Sequence, residues 1–131
     1  MGYDVASLDI GITSTLSQLP GFAEHGLPAK PLARFATAWA AYRAKGVPAE
    51  IVVLGAGVAG AEVVMAMAHA LRTDGRAATL TLVDQAAAFS ALGPRAARLL
   101  RAAVERHGVR EVEHAAPKEV TKEGVTLASG E

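Results

Sequence analysis

A glycine-rich segment in the middle of the chain constrains the fold more than any other feature. Gly55-Ala-Gly57-Val-Ala-Gly60 directly follows the apolar run Ile51–Leu54 and opens a second, longer apolar stretch. Three closely spaced glycines between a strand and a helix are typical of a βαβ unit that binds a dinucleotide. The pattern therefore predicts a strand at 50–54 and a helix at 58–72.

Each glycine has a separate predicted task. Gly55 lets the chain leave the strand in a tight turn, Gly57 lets the backbone approach a pyrophosphate, and Gly60 lets the helix pack closely on the sheet. Unpaired N–H groups at the start of the helix would face the phosphates, so that anion binding needs no lysine. The predicted cofactor-binding residues of this segment are Gly55, Ala56, Gly57, Val58, Ala59 and Gly60.

An acidic residue stands where the second strand of such a unit should end. The apolar run Leu80–Val83 is followed by Asp84, 24 residues after Gly60. A carboxylate at this position can accept hydrogen bonds from the adenosine ribose, although aspartate is also common as a simple turn residue after a strand. Gln85 and three alanines follow, and no basic residue occurs before Arg95. Asp84 and Gln85 are therefore predicted to bind NAD(H) in preference to NADP(H).

Glu62 lies near the start of the predicted helix, between apolar residues. Two interpretations remain open for it. Its carboxylate can interact favourably with the positive end of the helix dipole, an effect of about 0.3–1 kcal/mol. Alternatively, it points toward the nicotinamide end of the cofactor or a neighbouring flavin site.

The other predicted elements complete an α/β domain. A helix should begin at Pro31 and end before Gly46, a strand should cover 78–84, and a further helix should run from Pro94 to about His107. The region 109–131 has short alternating runs around Gly124, which favour a β-hairpin or meander over another βαβ repeat. The predicted fold is a Rossmann-like three-layer α/β domain with a parallel sheet and a C-terminal hairpin or meander.

Composition excludes several classes of function. The formal net charge is zero and there are no cysteines, which argues against nucleic-acid binding, disulfides and cysteine-ligated metals. The four histidines show no metal-ligand spacing, and no residue is a convincing acid, base or nucleophile. We therefore predict neither a metal site nor a catalytic residue.

One apolar stretch is long enough to raise the question of a membrane span. Residues 51–71 include only Glu62 and His69 as polar residues, but a central carboxylate and three glycines fit a buried strand, turn and helix better. We predict no transmembrane segment and, with no signal peptide evident, a cytoplasmic location, with the parent protein allowed to be peripheral to the membrane.

The segment from Gly55 to Glu62 resembles the GxGxxGxE motif of the NAD-binding domain in FAD-dependent pyridine nucleotide-disulfide oxidoreductases, particularly type II NADH dehydrogenases. The chain is also similar to the flavoprotein module sometimes fused to selenide, water dikinase. Residues 3–11 resemble the end of the first part of the FAD domain, residues 19–31 resemble the connection that follows it, and residues 124–131 resemble the hairpin strand before the family returns to that domain.

The resemblance implies a division of the chain and a role for it. Residues 1–30 would be a remnant of the FAD-domain segment with its connecting loop, and residues 31–131 would be the NAD(H)-binding domain. In the parent protein, NADH would transfer a hydride to FAD, whereas this chain without the missing FAD domain would be inactive. The rival hypothesis is a non-catalytic nucleotide-sensing or protein-interaction module with the same fold.

The resemblance also bears on residues 3–30, whose apolar side chains would normally lie against the missing FAD domain. Without that partner, we expect this segment to be poorly ordered or to bury its apolar residues in a homodimer.

Overall fold

The computed structural model describes residues 18–130. In that range it contains four helices and five strands. In chain order they are α1 (Phe22–His25), α2 (Leu32–Ala44), β1 (Ala49–Leu54), α3 (Val58–Thr73), β2 (Ala78–Val83), α4 (Pro94–Arg106), β3 (Val109–Val112), β4 (Pro117–Val120) and β5 (Val125–Leu127).

Strands β1, β2 and β3 form a parallel sheet in that order, with β2 in the centre. Ile51 lies opposite Leu80, and Leu80 lies opposite Val109. Because parallel neighbours need a crossover, α3 connects β1 to β2 and α4 connects β2 to β3. The α/β class and the parallel sheet predicted from the sequence are confirmed.

The region after α4 differs in part from the prediction. A hairpin is present, since β4 and β5 pair in antiparallel fashion. The assignment of all of 109–131 to a hairpin or meander is wrong, however, because β3 pairs with β2 in parallel and completes a second βαβ unit. In β3, Val109 and Val112 flank two charged residues, which suits a strand at the edge of the sheet, where only Val109 of the four residues is buried.

The core lies between α3 and the sheet. Leu80 and Leu82 of β2 are buried, and α3 packs Val64 and Leu71 against them, each with no exposed surface. The apolar stretch 51–71 is thus divided into a strand, a glycine turn and a buried helix, as predicted. None of the helices within residues 18–130 has the length and apolar character needed to span a bilayer.

Helix α2 contacts the domain through three partly buried aromatic residues that pack against the core and through polar contacts at its C-terminal end. It has no buried residue. Arg43 forms a bidentate pair with Asp74 after α3, at 2.7 and 2.6 Å, and Arg76 donates to the carbonyl oxygen of Arg43 at 3.2 Å. The hydrogen bonds from Arg43 hold the pKa of the Asp74 carboxyl below its usual value. These contacts therefore join the connection between α2 and β1 to the connection between α3 and β2, at the end of the sheet where both strands begin.

The described part of the N-terminal segment contacts the hairpin. The N–H of Val120 donates to the carbonyl oxygen of Pro20 at 2.9 Å, and Phe22 of α1 is buried. The expectation of disorder or dimerisation concerns residues 3–30, of which 3–17 lie outside the described residues, and it stays a prediction. So does the proposed division at residue 30.

Candidate functional site

Three loops with polar or glycine residues meet at one edge of the sheet. Because the strands are parallel, their carboxyl ends lie side by side. Gly55 follows β1, Asp84 follows β2, and Glu113 follows β3. Ligands of open α/β sheets bind at this edge, so it is the candidate site.

Gly55 is required by its backbone conformation. Its φ of 104° lies in the region that side chains rarely adopt. Its N–H donates to the carbonyl oxygen of Val83 at 2.8 Å, which continues the pairing of β1 and β2 into the turn.

Gly60 is required by packing. A Cβ at this position would overlap the carbonyl oxygen of Gly55 and lie 3.5 Å from Cδ1 of Leu82. The first turn of α3 can approach the strand this closely only when no side chain is present. The predicted task of Gly60 agrees with this contact.

Gly57 has no such requirement from the protein. Its φ of −83° and ψ of −178° suit any residue, and a Cβ built on it would meet no atom of a non-neighbouring residue within 4 Å in the described range 18–130. Gly57 is also the N-cap of α3 and provides no side-chain cap, although Ser, Thr, Asp or Asn would stabilise the helix there. The missing side chain therefore leaves open space directly in front of the helix terminus.

The first turn of α3 supplies backbone donors to this space. The first hydrogen bond into the helix runs from the N–H of Ala61 to the carbonyl oxygen of Gly57 at 3.1 Å. Among residues 18–130, no acceptor is found for the N–H groups of Val58 and Ala59, and both residues are exposed. Unpaired N–H groups at a helix N-terminus favour an anion such as a phosphate.

Asp84 connects two of the loops at this edge. Its Oδ2 accepts a hydrogen bond from the N–H of Ala56 at 2.7 Å, and its Oδ1 accepts one from the N–H of Ala86 at 2.8 Å. An ionised carboxylate offers about four acceptor positions, so two such bonds leave capacity for ribose hydroxyls. The structure thus brings Asp84 beside the glycine loop, as the spacing predicted, and adds a role in holding that loop.

The glycine loop is held from a second side by the loop after β2. Ala56 is buried, and its carbonyl oxygen accepts from the N–H of Phe89 at 2.8 Å. The neighbouring N–H of Ala88 donates to Oε1 of Glu113 at 2.6 Å, and the same oxygen is 2.6 Å from Arg101. These contacts join the loops after β1, β2 and β3.

Sequence reasoning did not find Glu113 or Arg101. The available signal was the position of Glu113 directly after the short run Val109–Val112, the same position that Asp84 has after β2. Assigning that run to a hairpin concealed it, because only a third parallel strand brings Glu113 to the edge where Asp84 lies.

The other predicted site residues lie at the border of this edge. Glu62 is exposed in the second turn of α3, and Gln85 is exposed directly after Asp84. Neither side chain forms a hydrogen bond or ion pair with residues 18–130. Within the same range, no group of three His, Cys, Asp or Glu residues is placed to hold a metal.

A pocket of about 580 Å³ lies elsewhere, at the opposite edge, where β1 and β2 begin. It is lined by Arg43 and Asp74, whose charges already pair with each other. We place the candidate site at the glycine loop because N–H groups there have no acceptor within residues 18–130, whereas the charged side chains that line the pocket already pair with each other.

The parallel sheet and its glycine loop define a Rossmann-like α/β fold. Residues 8–131 match the family model described as pyridine nucleotide-disulphide oxidoreductase. The chain belongs to this family, whose members depend on FAD and NAD(P). A comparison with curated protein sequences finds no match.

Solved structures share the fold at low sequence identity. Reduced CoADR-RHD from Bacillus anthracis is 23% identical with a TM-score of 0.61, and the match covers 87% of this chain and 20% of that one. A ferredoxin reductase from Rhodopseudomonas palustris is 20% identical with a TM-score of 0.63, covering 87% and 28%. An NAD-dependent persulfide reductase from A. fulgidus is 18% identical with a TM-score of 0.57, covering 87% and 21%. The chain thus spans between a fifth and three-tenths of the length of these proteins.

Proposed function

We propose that this chain is the NAD(H)-binding unit of an FAD-dependent oxidoreductase and positions NADH for hydride transfer to the flavin. The observation that carries the proposal is the open space at Gly57, which no residue in the described range 18–130 fills. A pyrophosphate in that space would contact the N–H groups at the start of α3. Family membership favours this function over a sensing or interaction module.

The residues of the chain would bind and orient the dinucleotide. The chemistry of the parent enzyme, hydride transfer from NADH to FAD, belongs to the cofactors. The N–H groups of Val58 and Ala59 would hold the pyrophosphate, and Asp84 would accept hydrogen bonds from the adenosine ribose. Glu62, exposed on the second turn of α3, would lie on the side of the reacting ring. Gln85 would border the adenosine.

Calorimetric titration of the chain with NADH and with NADPH tests this function. We expect saturable binding of NADH, and an affinity for NADPH at least about tenfold lower, equivalent to about 1.4 kcal/mol. The reason is that a 2′-phosphate would bring negative charge close to the Asp84 carboxylate. A chain that binds NADPH more tightly would contradict the assignment of Asp84, and one that binds neither up to millimolar concentration would contradict the proposed function.

Substitution of Asp84 should separate its two roles. We expect Asp84→Ala to lower NADH affinity by about tenfold to a hundredfold, because hydrogen bonds to charged groups contribute about 1.5–3 kcal/mol. It should also lower the melting temperature, since Ala56 and Ala86 lose an acceptor. Calorimetry and thermal unfolding measure the two effects.

Gln85→Ala is the matched control, because Gln85 is the next residue and its side chain is exposed. It should leave the melting temperature unchanged and alter NADH affinity by less than Asp84→Ala does. An Asp84→Ala protein that is less stable but binds NADH as tightly as the wild type would show that Asp84 holds the loop and does not contact the ligand.

A further inference from the structure

A network of an arginine, a glutamate and two strained residues borders the candidate site. Glu113 Oε1 accepts from the Ala88 N–H and from Arg101, both at 2.6 Å. Arg101 also lies over the ring of Phe89, with its guanidinium carbon 5.9 Å from the centroid. Glu113 is thus fixed by α4 on one side and fixes the loop after β2 on the other.

Two backbone conformations indicate that this contact holds the loop against strain. Among residues 18–130, Phe89 and His114 are the non-glycine residues with positive φ, at 61° and 54°. Phe89 follows Ala88, and His114 follows Glu113, so the strained residues stand on either side of the contact. Such conformations persist only where the surroundings enforce them, and they concentrate at functional sites.

Two hydrogen bonds connect this network to the glycine loop. The N–H of Phe89, next to the residue that Glu113 holds, donates to the carbonyl oxygen of Ala56 at 2.8 Å. The N–H of Ala56 donates in turn to Asp84. A change at Glu113 would therefore alter both the position of the loop after β2 and the support of the residue between Gly55 and Gly57.

We infer that Glu113 is a positioning residue for dinucleotide binding, which acts by holding Ala88 and Phe89 so that the glycine loop and Asp84 keep their binding arrangement. The inference rests on the proposed function. Glu113 need not touch the ligand; without it, binding would have to order the loop, and the free energy of that ordering would weaken the affinity. The loss of affinity should arise in the adenosine and pyrophosphate half of the dinucleotide, which these loops would hold.

The test measures the affinity of the chain for NADH and for ADP-ribose. Glu113→Ala is expected to weaken both by about tenfold, and by the same factor, since the two ligands share the half that these loops would hold. Glu113→Gln keeps an acceptor for the Ala88 N–H and should restore most of the affinity. A merely structural role would change the melting temperature without this rescue of affinity.

Glu111→Ala is the matched control. Glu111 pairs with the same arginine at 3.1 Å, but within residues 18–130 no side-chain hydrogen bond or ion pair connects it to the loop after β2. It should change the NADH affinity less than twofold. Equal losses in the two alanine variants, a Glu113→Ala protein within twofold of the wild type, or equal losses in the Gln and Ala variants at Glu113 would overturn the inference.

A measurement on the wild-type chain tests the same point without a substitution. Saturation with NADH should slow hydrogen exchange of the Ala88 and Phe89 amides, because a bound ligand would stabilise the closed loop. Unchanged exchange at both amides, with NADH bound, would contradict the role of Glu113 while leaving the proposed function standing. Absence of NADH binding by the wild type would overturn both.

Discussion

NADH binding by the Gly57→Val variant is expected to fall by at least about a hundredfold, or about 2.7 kcal/mol, while the fold survives. The backbone at Gly57 is extended and accepts a β-branched residue, and within residues 18–130 a Cβ there meets no non-neighbouring atom within 4 Å. The new side chain would occupy the space in front of the unpaired N–H groups of α3. Its steric effect would therefore fall on the ligand rather than on the protein. Calorimetry and circular dichroism measure the two properties.

Gly93→Val is the matched control for this variant. Gly93 is also a helix N-cap with an extended backbone, at φ −64° and ψ 154°, and it also has open space at its Cβ. Both substitutions replace an N-cap glycine by a poor cap, so their costs in stability should be similar. Only the change at Gly57 should abolish binding. If Gly57→Val bound NADH as the wild type does, the open space at Gly57 would have no role in binding.

The Gly60→Ala variant is expected to show the opposite pattern, with a large loss of stability. A Cβ at Gly60 would overlap the carbonyl oxygen of Gly55, an atom of the backbone that cannot rotate away. Helix α3 would have to move from the sheet and disturb its contact with Leu82. Such overpacking costs about 1–3 kcal/mol, and we expect the upper end because the obstacle is backbone. Thermal unfolding should show a decrease in Tm of about 10 °C.

Gly57→Ala provides the comparison for this experiment. Its Cβ lies in open space, so its Tm should fall only by the small amount that a change from glycine to alanine at an N-cap costs, well below the loss in Gly60→Ala. A Gly60→Ala protein as stable as Gly57→Ala would show that α3 does not need the close approach to Gly55. The pair of variants thus distinguishes a glycine that serves packing from one that leaves room for a ligand.

Much of the fold follows from local patterns in the sequence. The bounds of β1, α3 and β2 differ from the predicted bounds by no more than one residue. The prediction succeeds because a buried parallel strand has a short apolar run and a buried helix has a longer one. Strand β3 was not recognised as part of the sheet. Its four residues lack the continuous apolar run that is typical of a buried parallel strand, and its pairing with β2 is decided by contacts distant in sequence.

The candidate site could be predicted only in outline. The glycine pattern and the spacing to Asp84 both belong to one βαβ unit. A single continuous segment of sequence contains that unit, so both features could be predicted. The bond between Asp84 and the Ala56 N–H joins residues 28 apart in sequence, and the contact of Glu113 with Ala88 also requires the third strand to be in place. The sequence assigned a separate task to each of the three glycines of the loop, and within residues 18–130 only Gly57 of these three is required neither by backbone conformation nor by packing.

Amide chemical shifts of the ¹⁵N-labelled chain during a titration with NADH test the central claim most directly. The largest changes are predicted at Gly57, Val58 and Ala59, with further changes in the loop after Asp84. The pocket at the opposite edge, lined by Gly46 and Gly75 among others, should be unaffected. Saturable changes confined to that pocket, or no saturable change up to millimolar NADH, would contradict the assignment of the glycine loop as the dinucleotide site.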